Sequence, residues 1–375
     1  MISILPVASK NKLKTFIDFP HDLYKDDNNY VPEIFLSQRD ILSPEKHPFY
    51  KSAVIKLFLA YKDGKLVGRI AGIINHRHNE INNDGFFGFF DCINDVEVAR
   101  TLILEVENWL KENQIKGKLI GPVNPSTNEA CGLLIDGYGK PPYVMMTYNA
   151  SYYMELLTKL GFEKKMDLYA YIFNRKDYNN ERVNKAFSLV KEKWKRRGIS
   201  FRTINMKDYK NDIAKIKESY NSAWNKNLGF TAMTDAEMQY IAKEMKSIIN
   251  PEFFLIAEHK NKIIGFALAI PNVNEITISI KRGRLLPFGI FKLLTGMKKI
   301  KSMRIILLGV VEGYRKNGIE AFFYGSLIDS IAKNQRIENV EASWVLEENH
   351  LMRTAIEKMN GKIDKVYRIF HKELQ

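Results

Sequence analysis

Runs of apolar and polar residues predict strands, turns and helices in an order that occurs twice. Phe58–Ile73 has an apolar run, a polar turn at Asp63-Gly64 and a second apolar run, which together indicate a β-hairpin. Phe253–Ile270 repeats this pattern, and its Gly265 lies 197 residues after Gly68.

A second match supports duplication. Leu156–Phe173 reads as a helix end, a turn at Gly161 and a strand, and Ala355–Leu374 repeats it at an offset of 198 or 199 residues. Because two separate matches at nearly one offset indicate an internal repeat, we predict two copies of one domain.

Between these landmarks, each half predicts strand, helix, strand and helix. We therefore expect an α/β (α+β) protein with two tandem domains, each a mixed, mostly antiparallel sheet flanked by helices. The N-terminal domain is placed at 1–175 and the C-terminal domain at 176–375. The polar segment 173–186 is the expected linker, and a helix over 182–198 leads into the second copy.

Composition fits a folded protein of 375 residues, since 45% of the residues are hydrophobic and 27% are charged. We find neither a signal-peptide pattern nor an apolar run of membrane-spanning length. A cytoplasmic protein is expected, with peripheral contact to the inner membrane face as the alternative. Cys92 and Cys131 are expected to be reduced core thiols.

The net charge of +14 is partly local, because no acidic residue occurs between Glu275 and Glu312. The basic residues of that stretch are Lys281, Arg282, Arg284, Lys292, Lys298, Lys299, Lys301 and Arg304. Such a patch attracts phosphate groups of a cofactor, an anionic membrane or a nucleic acid, or it is a solvated charged face. No nucleic-acid motif accompanies the charge, so no specific nucleic acid is expected.

The segment 284–301 combines this charge with apolar residues. One interpretation is an interfacial helix that lies on an anionic membrane surface, or a lid over a long acyl chain. The other is a core helix with a basic end. Both remain open on the sequence.

The stretch Leu307–Glu320 predicts a buried strand, a basic turn and the start of a helix. It resembles the phosphate-binding turn R/Q-x-x-G-x-G/A of the GNAT acyltransferases. The matching residues are Arg315, Lys316, Asn317, Gly318, Ile319 and Glu320, and the last of them departs from the pattern. Backbone N–H groups at a helix start can bind an anion, and glycine permits close approach of a pyrophosphate.

Nearly the whole chain resembles bacterial GNAT-like proteins of the putative N-acetyltransferase type. The segments that carry this resemblance are Asp27–Ile34, His47–Tyr50, Gly85–Asp95, Gly121–Gly137 and Tyr148–Phe162.

The GNAT resemblance implies acetyl-CoA or a longer acyl-CoA as cofactor and an amine as acceptor. It assigns the pantetheine arm to the backbone of the predicted strand, and Asn349 at the start of the last helix to the cofactor. The implied strand residues are Leu308, Gly309, Val310 and Val311. For Asn349, a helix N-cap is the alternative.

Catalytic groups are less clear in the sequence. Many GNAT enzymes have a tyrosine acid in the last helix, but Ile356 and Leu157 stand at the corresponding positions. We name Glu341 as candidate base and Tyr367 as a second candidate. A surface carboxylate and a half-buried strand tyrosine are the alternatives.

The first copy lacks the basic turn and has Asp91, Asp95 and Glu97 there, so we expect no coenzyme A in it. Its segment Asn124–Gly132 is either part of an acceptor site between the domains or a structural loop. His76 and His78 are expected in a solvated turn, and no metal site is expected.

We therefore expect an acyl-CoA-dependent N-acyltransferase, and our first hypothesis is acetyl transfer to a primary amine. Three alternatives stay open: a long-chain N-acyltransferase for a lipid amine at the membrane, an aminoacyl-tRNA-dependent peptidyltransferase, and a non-enzymatic acyl-CoA-binding protein.

Overall fold

The structure is a computed structural model that describes residues 1–177, 192, 194–224, 230–315 and 317–374. Most of the expected linker and of the helix over 182–198, together with Lys316, lie outside the described residues.

The described chain alternates strands with helices. The strands are β1 Ile2–Pro6, β2 Ala53–Lys62, β3 Lys65–Asn75, β4 Gly85–Cys92, β5 Lys118–Gly121, β6 Val123–Asn124, β7 Ala130–Cys131, β8 Leu133–Asp136, β9 Glu163–Asn174, β10 Ile199–Thr203, β11 Phe254–His259, β12 Lys262–Pro271, β13 Ser302–Val310, β14 Asn339–Leu346 and β15 Lys362–Glu373. The α-helices are α1 Lys10–Leu23, α2 Phe35–Ile41, α3 His76–Asn79, α4 Val96–Glu112, α5 Tyr152–Lys159, α6 Tyr209–Trp224, α7 Asp235–Met245, α8 Asn274–Thr277, α9 Gly289–Gly296, α10 Ile319–Lys333 and α11 His350–Lys358.

The order of elements confirms the predicted fold class. In the first half, β1 to β4 pair antiparallel and β4 pairs parallel with β5. In the second half, β10 to β13 pair antiparallel and β13 pairs parallel with β14. A helix joins the two parallel strands in each half, α4 in the first and α10 in the second. The protein is thus a tandem α/β protein with a mixed sheet flanked by helices.

Contacts divide the chain into two compact units. The first unit contains 1–168, 274–296 and 365–375, and the second contains 169–273 and 297–364. These units group residues by spatial contact, whereas the expected boundary between residues 175 and 176 groups them by sequence repeat. That boundary therefore stays a prediction.

Both predicted hairpins turn in the same way. Asp63 and Gly64 have φ angles of 50° and 77°, and Lys260 and Asn261 have φ angles of 50° and 60°. Each turn has two residues between its strands, because Lys62 pairs with Lys65 and His259 pairs with Lys262. Two central residues with positive φ match the right-handed twist of the flanking strands.

The glycines that revealed the repeat have a common packing role. A Cβ atom on Gly68 would lie 2.7 Å from Leu102 Cδ1 of α4, and one on Gly265 would lie 3.1 Å from Phe323 Cε2 of α10. In each half, the helix that joins the two parallel strands packs closely on the second strand of the hairpin, because the glycine there has no side chain.

A buried ion pair lies inside the first unit. Arg69 Nε donates to Asp91 Oδ2 at 2.8 Å, and both side chains are at most 10% exposed. Arg69 also donates to the Phe16 carbonyl oxygen, and the Tyr24 hydroxyl donates to Asp91 Oδ1. The pair is compensated because both ions have additional hydrogen bonds.

Asp91→Ala is expected to lower the free energy of unfolding by about 3–5 kcal/mol, because Arg69 would remain as a buried charge without its carboxylate. The double variant Arg69→Met with Asp91→Leu removes both charges, so it should recover most of that loss. Urea unfolding followed by circular dichroism measures both effects. Glu112→Ala, at an exposed site on α4, is the control; an Asp91→Ala loss no larger than the control's would contradict the prediction.

Candidate functional site

Strands β13 and β14 separate part of the way along their length. They pair in parallel from Ser302 with Asn339 to Ile305 with Ala342. Beyond Ala342 and Ile305 both strands continue, and no further pair joins them among the described residues. Beyond these residues the facing edges of β13 and β14 are not paired with each other, and we call the gap between them the cleft. Unpaired strand edges can hydrogen-bond an extended ligand.

A β-bulge coincides with the separation. Leu268 pairs with Leu307 whereas Ala269 pairs with Ile305, so Ile306 is the extra residue of β13. A bulge bends its strand and redirects its edge. The bend at Ile306 therefore accompanies the departure of β13 from β14.

Arg315 holds the turn that follows β13. Its Nε donates to the Val310 carbonyl oxygen at 3.0 Å, and its Nη2 donates to the carbonyl oxygen of Ala223 in α6. The guanidinium thus ties the turn to the end of β13 and to α6. The role of Arg315 in cofactor binding stays a prediction.

Gly318 begins α10 in a left-handed conformation. Its φ is 82°, and as the N-cap residue it has no side chain that could cap the helix. Asn317 closes the turn, since its amide donates to the carbonyl oxygens of Tyr314 and Arg315 at 3.2 Å each. A positive φ favours glycine, and the uncapped N–H groups are the type that binds anions.

The neighbouring residues of the motif have different environments. Ile319 is fully buried, so only its backbone is available to a ligand. Glu320, which departs from the motif, lies in the first turn of α10 with its side chain partly buried. Lys316 is outside the described residues.

An aromatic pair of α6 packs on β13 through Trp224. A Cβ atom on Gly309 would be 2.3 Å from Trp224 Cζ3, so the indole packs directly on this backbone. Tyr220 stacks on Trp224 with ring centroids 4.6 Å apart. The sequence reasoning missed this pair; its signal was an i, i+4 aromatic spacing in a helix. Leu308 is half-buried and Val310 is buried.

Glu341 lies where the two strands part. It is fully buried and pairs in register with Arg304, one position before the last paired residues. Ser343 Oγ donates to Glu341 Oε1 at 2.6 Å, and Arg304 Nε donates to Ser343 Oγ at 2.8 Å. The Arg304 and Glu341 charges are 3.7 Å apart. The expected alternative of a surface carboxylate is wrong, and the sequence reasoning missed Ser343.

Asn349 and Tyr367 are the other two side chains that the sequence named for the site. Asn349 Oδ1 accepts a hydrogen bond from the Met352 N–H at 3.3 Å, which confirms the helix N-cap. Its cofactor role stays a prediction. Tyr367 is fully buried on β15, opposite Leu134 of β8, and its catalytic role stays a prediction. Glu341 and Tyr367 belong to different compact units.

The first copy fills the corresponding gap with its own chain. Strands β4 and β5 pair only at Gly85 with Leu119 and at Phe86 with Ile120. Further along β4, the Phe89 N–H donates to Asn124 Oδ1 at 2.6 Å, and a Cβ atom on Gly88 would lie 1.6 Å from the Val123 carbonyl oxygen. Asn124 therefore has the structural role that was one of its two expected roles.

The helix after β4 already has an acidic cap. Asp95 Oδ1 accepts hydrogen bonds from the N–H groups of Glu97 and Val98 at the start of α4. The ammonium of Lys62, 2.6 Å from Asp95 Oδ2, lowers the pKa of this carboxyl. A fixed carboxylate at this helix start opposes the binding of a phosphate.

A buried polar cluster surrounds the ion pair of the first unit. The Tyr24 hydroxyl oxygen also lies 3.0 Å from the Tyr153 hydroxyl oxygen, and Tyr30 stacks on Tyr24. The Tyr30 hydroxyl lies 2.9 Å from His21 Nδ1. Burial, and secondarily the charge of Arg69, lowers the pKa of His21 to about 3. His21 is consequently neutral at physiological pH.

The basic stretch carries less free charge than its composition indicates. Arg282 forms an ion pair with Asp22, Arg284 with Asp18 and Lys301 with Glu338. Arg304 lies beside Glu341. The exposed cations that remain are Lys281, Lys292, Lys298 and Lys299. The core-helix interpretation of 284–301 is wrong, because Leu286, Phe288, Phe291 and Leu294 are exposed.

Two further findings concern membranes and metals. In the described ranges no helix has the length and apolarity needed to span a bilayer. The same residues contain no group of three or more His, Cys, Asp or Glu side chains able to hold a metal ion. His78 is buried and lies 3.4 Å from Asp84, so the expectation of a solvated turn is wrong for this residue.

Comparisons with known proteins agree with this geometry. The chain is 33% identical over 381 residues to a protein named bacterial ceramide synthase from Caulobacter vibrioides, covering 100% of this chain and 98% of that protein. It is 32% identical over 374 residues to protein YghO of Escherichia coli, covering 98% and 94%. A tandem GNAT protein from the clavulanic acid biosynthesis pathway, solved without AcCoA, matches at a TM-score of 0.60 and 8% identity over 100% and 99% of the two chains. No family model matches.

The fold is that of a tandem GNAT protein. The chain belongs to the family of bacterial proteins that includes the Caulobacter and Escherichia relatives.

The depressed pKa of His21 predicts acid sensitivity. Between its ordinary pKa of about 6.5 and about 3, the unfolded chain binds a proton at His21 that the folded protein does not bind. Stability should therefore fall as the pH is lowered through this window, by at most about 1.4 kcal/mol per pH unit for one proton. His21→Asn should reduce the slope in urea unfolding between neutral and acidic pH. His350→Asn at an exposed histidine is the control, and equal slopes in both variants would contradict the prediction.

Proposed function

We propose that this protein is an acyl-CoA-dependent N-acyltransferase whose acceptor is the primary amine of a long-chain lipid. The observation that carries the proposal is the cleft that opens between β13 and β14 after Ile305 and Ala342, next to the turn at Gly318. An extended arm requires such open strand edges, and a pyrophosphate requires such a helix start.

The residues of the cleft fit acyl-CoA mainly through the backbone. The edge of β13 beyond Ile305 would hydrogen-bond the pantetheine arm, and the N–H groups after Gly318 would hold the pyrophosphate. Arg315 is engaged with two carbonyl oxygens and would act by positioning this turn. The cofactor supplies the acyl group as a thioester, which reacts with a neutral amine.

The lipid acceptor is preferred to other amines because of the Caulobacter relative. A ceramide is the amide of a long-chain amine and a fatty acid, so the name of that relative describes N-acyl transfer to a lipid amine. The 33% identity extends along this entire chain. These facts favour a long-chain acyl-CoA over acetyl-CoA.

Glu341 is the proposed proton acceptor for the attacking amine. It would act through Ser343, whose hydroxyl donates to Glu341 and which is the first β14 residue beyond the last paired position. Glu341 and Ser343 share one face of β14, since side chains alternate along a strand. Arg304 Nε lies 3.7 Å from Glu341 Oε1, so a cation is next to the proposed base.

A second candidate function is acyl-CoA binding without catalysis. It is favoured by the complete burial of Glu341 and Tyr367, the two side chains proposed for proton transfer. This candidate requires the same cleft but no exchange of protons with an acceptor.

We expect the protein to form an N-acyl product from palmitoyl-CoA and sphinganine, detected by mass spectrometry together with thiol release. Gly318→Ala places a Cβ atom at a φ of 82°, which costs about 1–2 kcal/mol and should raise the KM for acyl-CoA roughly tenfold. Gly313→Ala, with no atom within 4 Å of the added Cβ and no positive φ, is the matched control.

Isothermal titration and hydrogen exchange locate the site. Palmitoyl-CoA should protect the β13 amides of Leu307–Val310, whereas Phe87–Phe90 in the filled first copy should be unaffected. Binding without product across lipid and short-chain amines would favour the second candidate. If neither palmitoyl-CoA, acetyl-CoA nor free coenzyme A binds, the proposed function is wrong.

A further inference from the structure

Helix α9 packs on the protein through small residues and exposes large apolar ones, which is the opposite of an ordinary surface helix. Gly289, Leu293 and Gly296 are spaced at i, i+4 and i+7, so they share one face. A Cβ atom on Gly289 would lie 2.3 Å from the Arg284 carbonyl oxygen, and one on Gly296 would lie 2.8 Å from Ile276. The helix therefore packs inward through its glycines.

Large apolar side chains of this helix and of the residues just before it are exposed. Leu286, Phe288, Phe291 and Leu294, which we name the α9 patch, are 75%, 74%, 64% and 65% exposed. Single exposed apolar residues are normal on proteins, but a cluster of this kind marks a contact surface. In the described part of the chain, no other nine-residue segment exposes four large apolar side chains to this degree.

The segment before the patch is held firmly to the first unit. Arg282 forms an ion pair with Asp22, and Arg284 Nη2 donates to both carboxylate oxygens of Asp18 at 2.8 Å. The Arg284 guanidinium also lies 3.3 Å from the centre of the Phe35 ring. These contacts fix the chain where it enters the patch, so the apolar residues project from an anchored base.

Cations border the patch. Lys281 and Lys292 lie before and within it, and Lys298 and Lys299 follow it along the chain, all with exposed side chains. Lys292 donates to the Ser279 carbonyl oxygen, while Lys281, Lys298 and Lys299 show no ion pair with any described residue. No acidic residue lies between Glu275 and Glu312 to offset this charge.

We propose that the α9 patch docks on a membrane that contains anionic phospholipid, with Phe288, Phe291 and Leu294 inserted at the boundary of headgroups and acyl chains. An apolar face bordered by lysines is complementary to that surface in both polarity and charge. The inference deepens the proposed function and rests on it for the nature of the acceptor, since a long-chain amine resides in such a membrane.

Vesicle flotation tests the docking directly. The full chain should bind phosphatidylcholine vesicles that contain phosphatidylglycerol, bind pure phosphatidylcholine vesicles less, and dissociate as salt is raised. Phe288→Ser with Phe291→Ser, and separately Lys298→Glu with Lys299→Glu, should each lower partitioning at least about tenfold. Ile81→Ser is the matched control, because Ile81 is 80% exposed outside the patch.

Turnover of a water-soluble amine without vesicles separates this inference from the proposed function. Patch variants should retain that turnover. If the wild type turns over this amine but does not float with anionic vesicles, the docking proposal is overturned and N-acyl transfer stands. Loss of soluble turnover in the patch variants would instead make the patch a lid over the acyl chain, or a protein contact, and would also overturn it. Binding to vesicles with no turnover supports docking and counts against the function alone.

Discussion

The cleft depends on which groups hydrogen-bond the backbone N–H and C=O groups at the point where two parallel strands stop pairing. Buried N–H and C=O groups need partners, and a separated pair of strands leaves them along two edges. In the first copy, Asn124 and the Val123 backbone lie against β4 where it leaves β5. In the second copy, β13 continues beyond Ile305 with no equivalent segment on this edge among the described residues. The two copies of the repeat therefore differ at this edge: the first copy, which we call closed, covers it with its own chain, and the second, which we call open, does not.

Polar side chains complete each form. The closed copy contains an internal network in which Asp91 accepts hydrogen bonds from Arg69 and Tyr24. The open copy has a buried ion pair, Arg304 and Glu341, at the position where the strands part, linked by Ser343. Buried ion pairs contribute little net stability compared with apolar packing. A charge pair at the mouth of the cleft is consequently better explained by the chemistry proposed there.

Local features were predictable from the sequence and long-range ones were not. The hairpins and the glycines at 68 and 265 follow from turn chemistry and close helix packing, which have short-range signals. The separation of β13 from β14 has no local signal, because it depends on which strand each edge meets. The pairing of Arg282 with Asp22 spans 260 residues, so the sequence overestimated the unpaired positive charge of the basic stretch. Arg315 was recognised as part of a motif, but its side-chain direction required the structure.

The inverted helix opposes the usual gain from hydrophobic burial. Burying a Phe or Leu side chain contributes about 1.5–3 kcal/mol, and glycine within a helix costs about 1 kcal/mol relative to alanine. Helix α9 nevertheless packs through Gly289 and Gly296 and exposes Phe291 and Leu294. Folding alone would favour the reverse arrangement. A protein that obtains its acceptor from an aqueous pool gains nothing from this pattern, whereas one that takes a lipid amine from a bilayer gains the contact surface it requires.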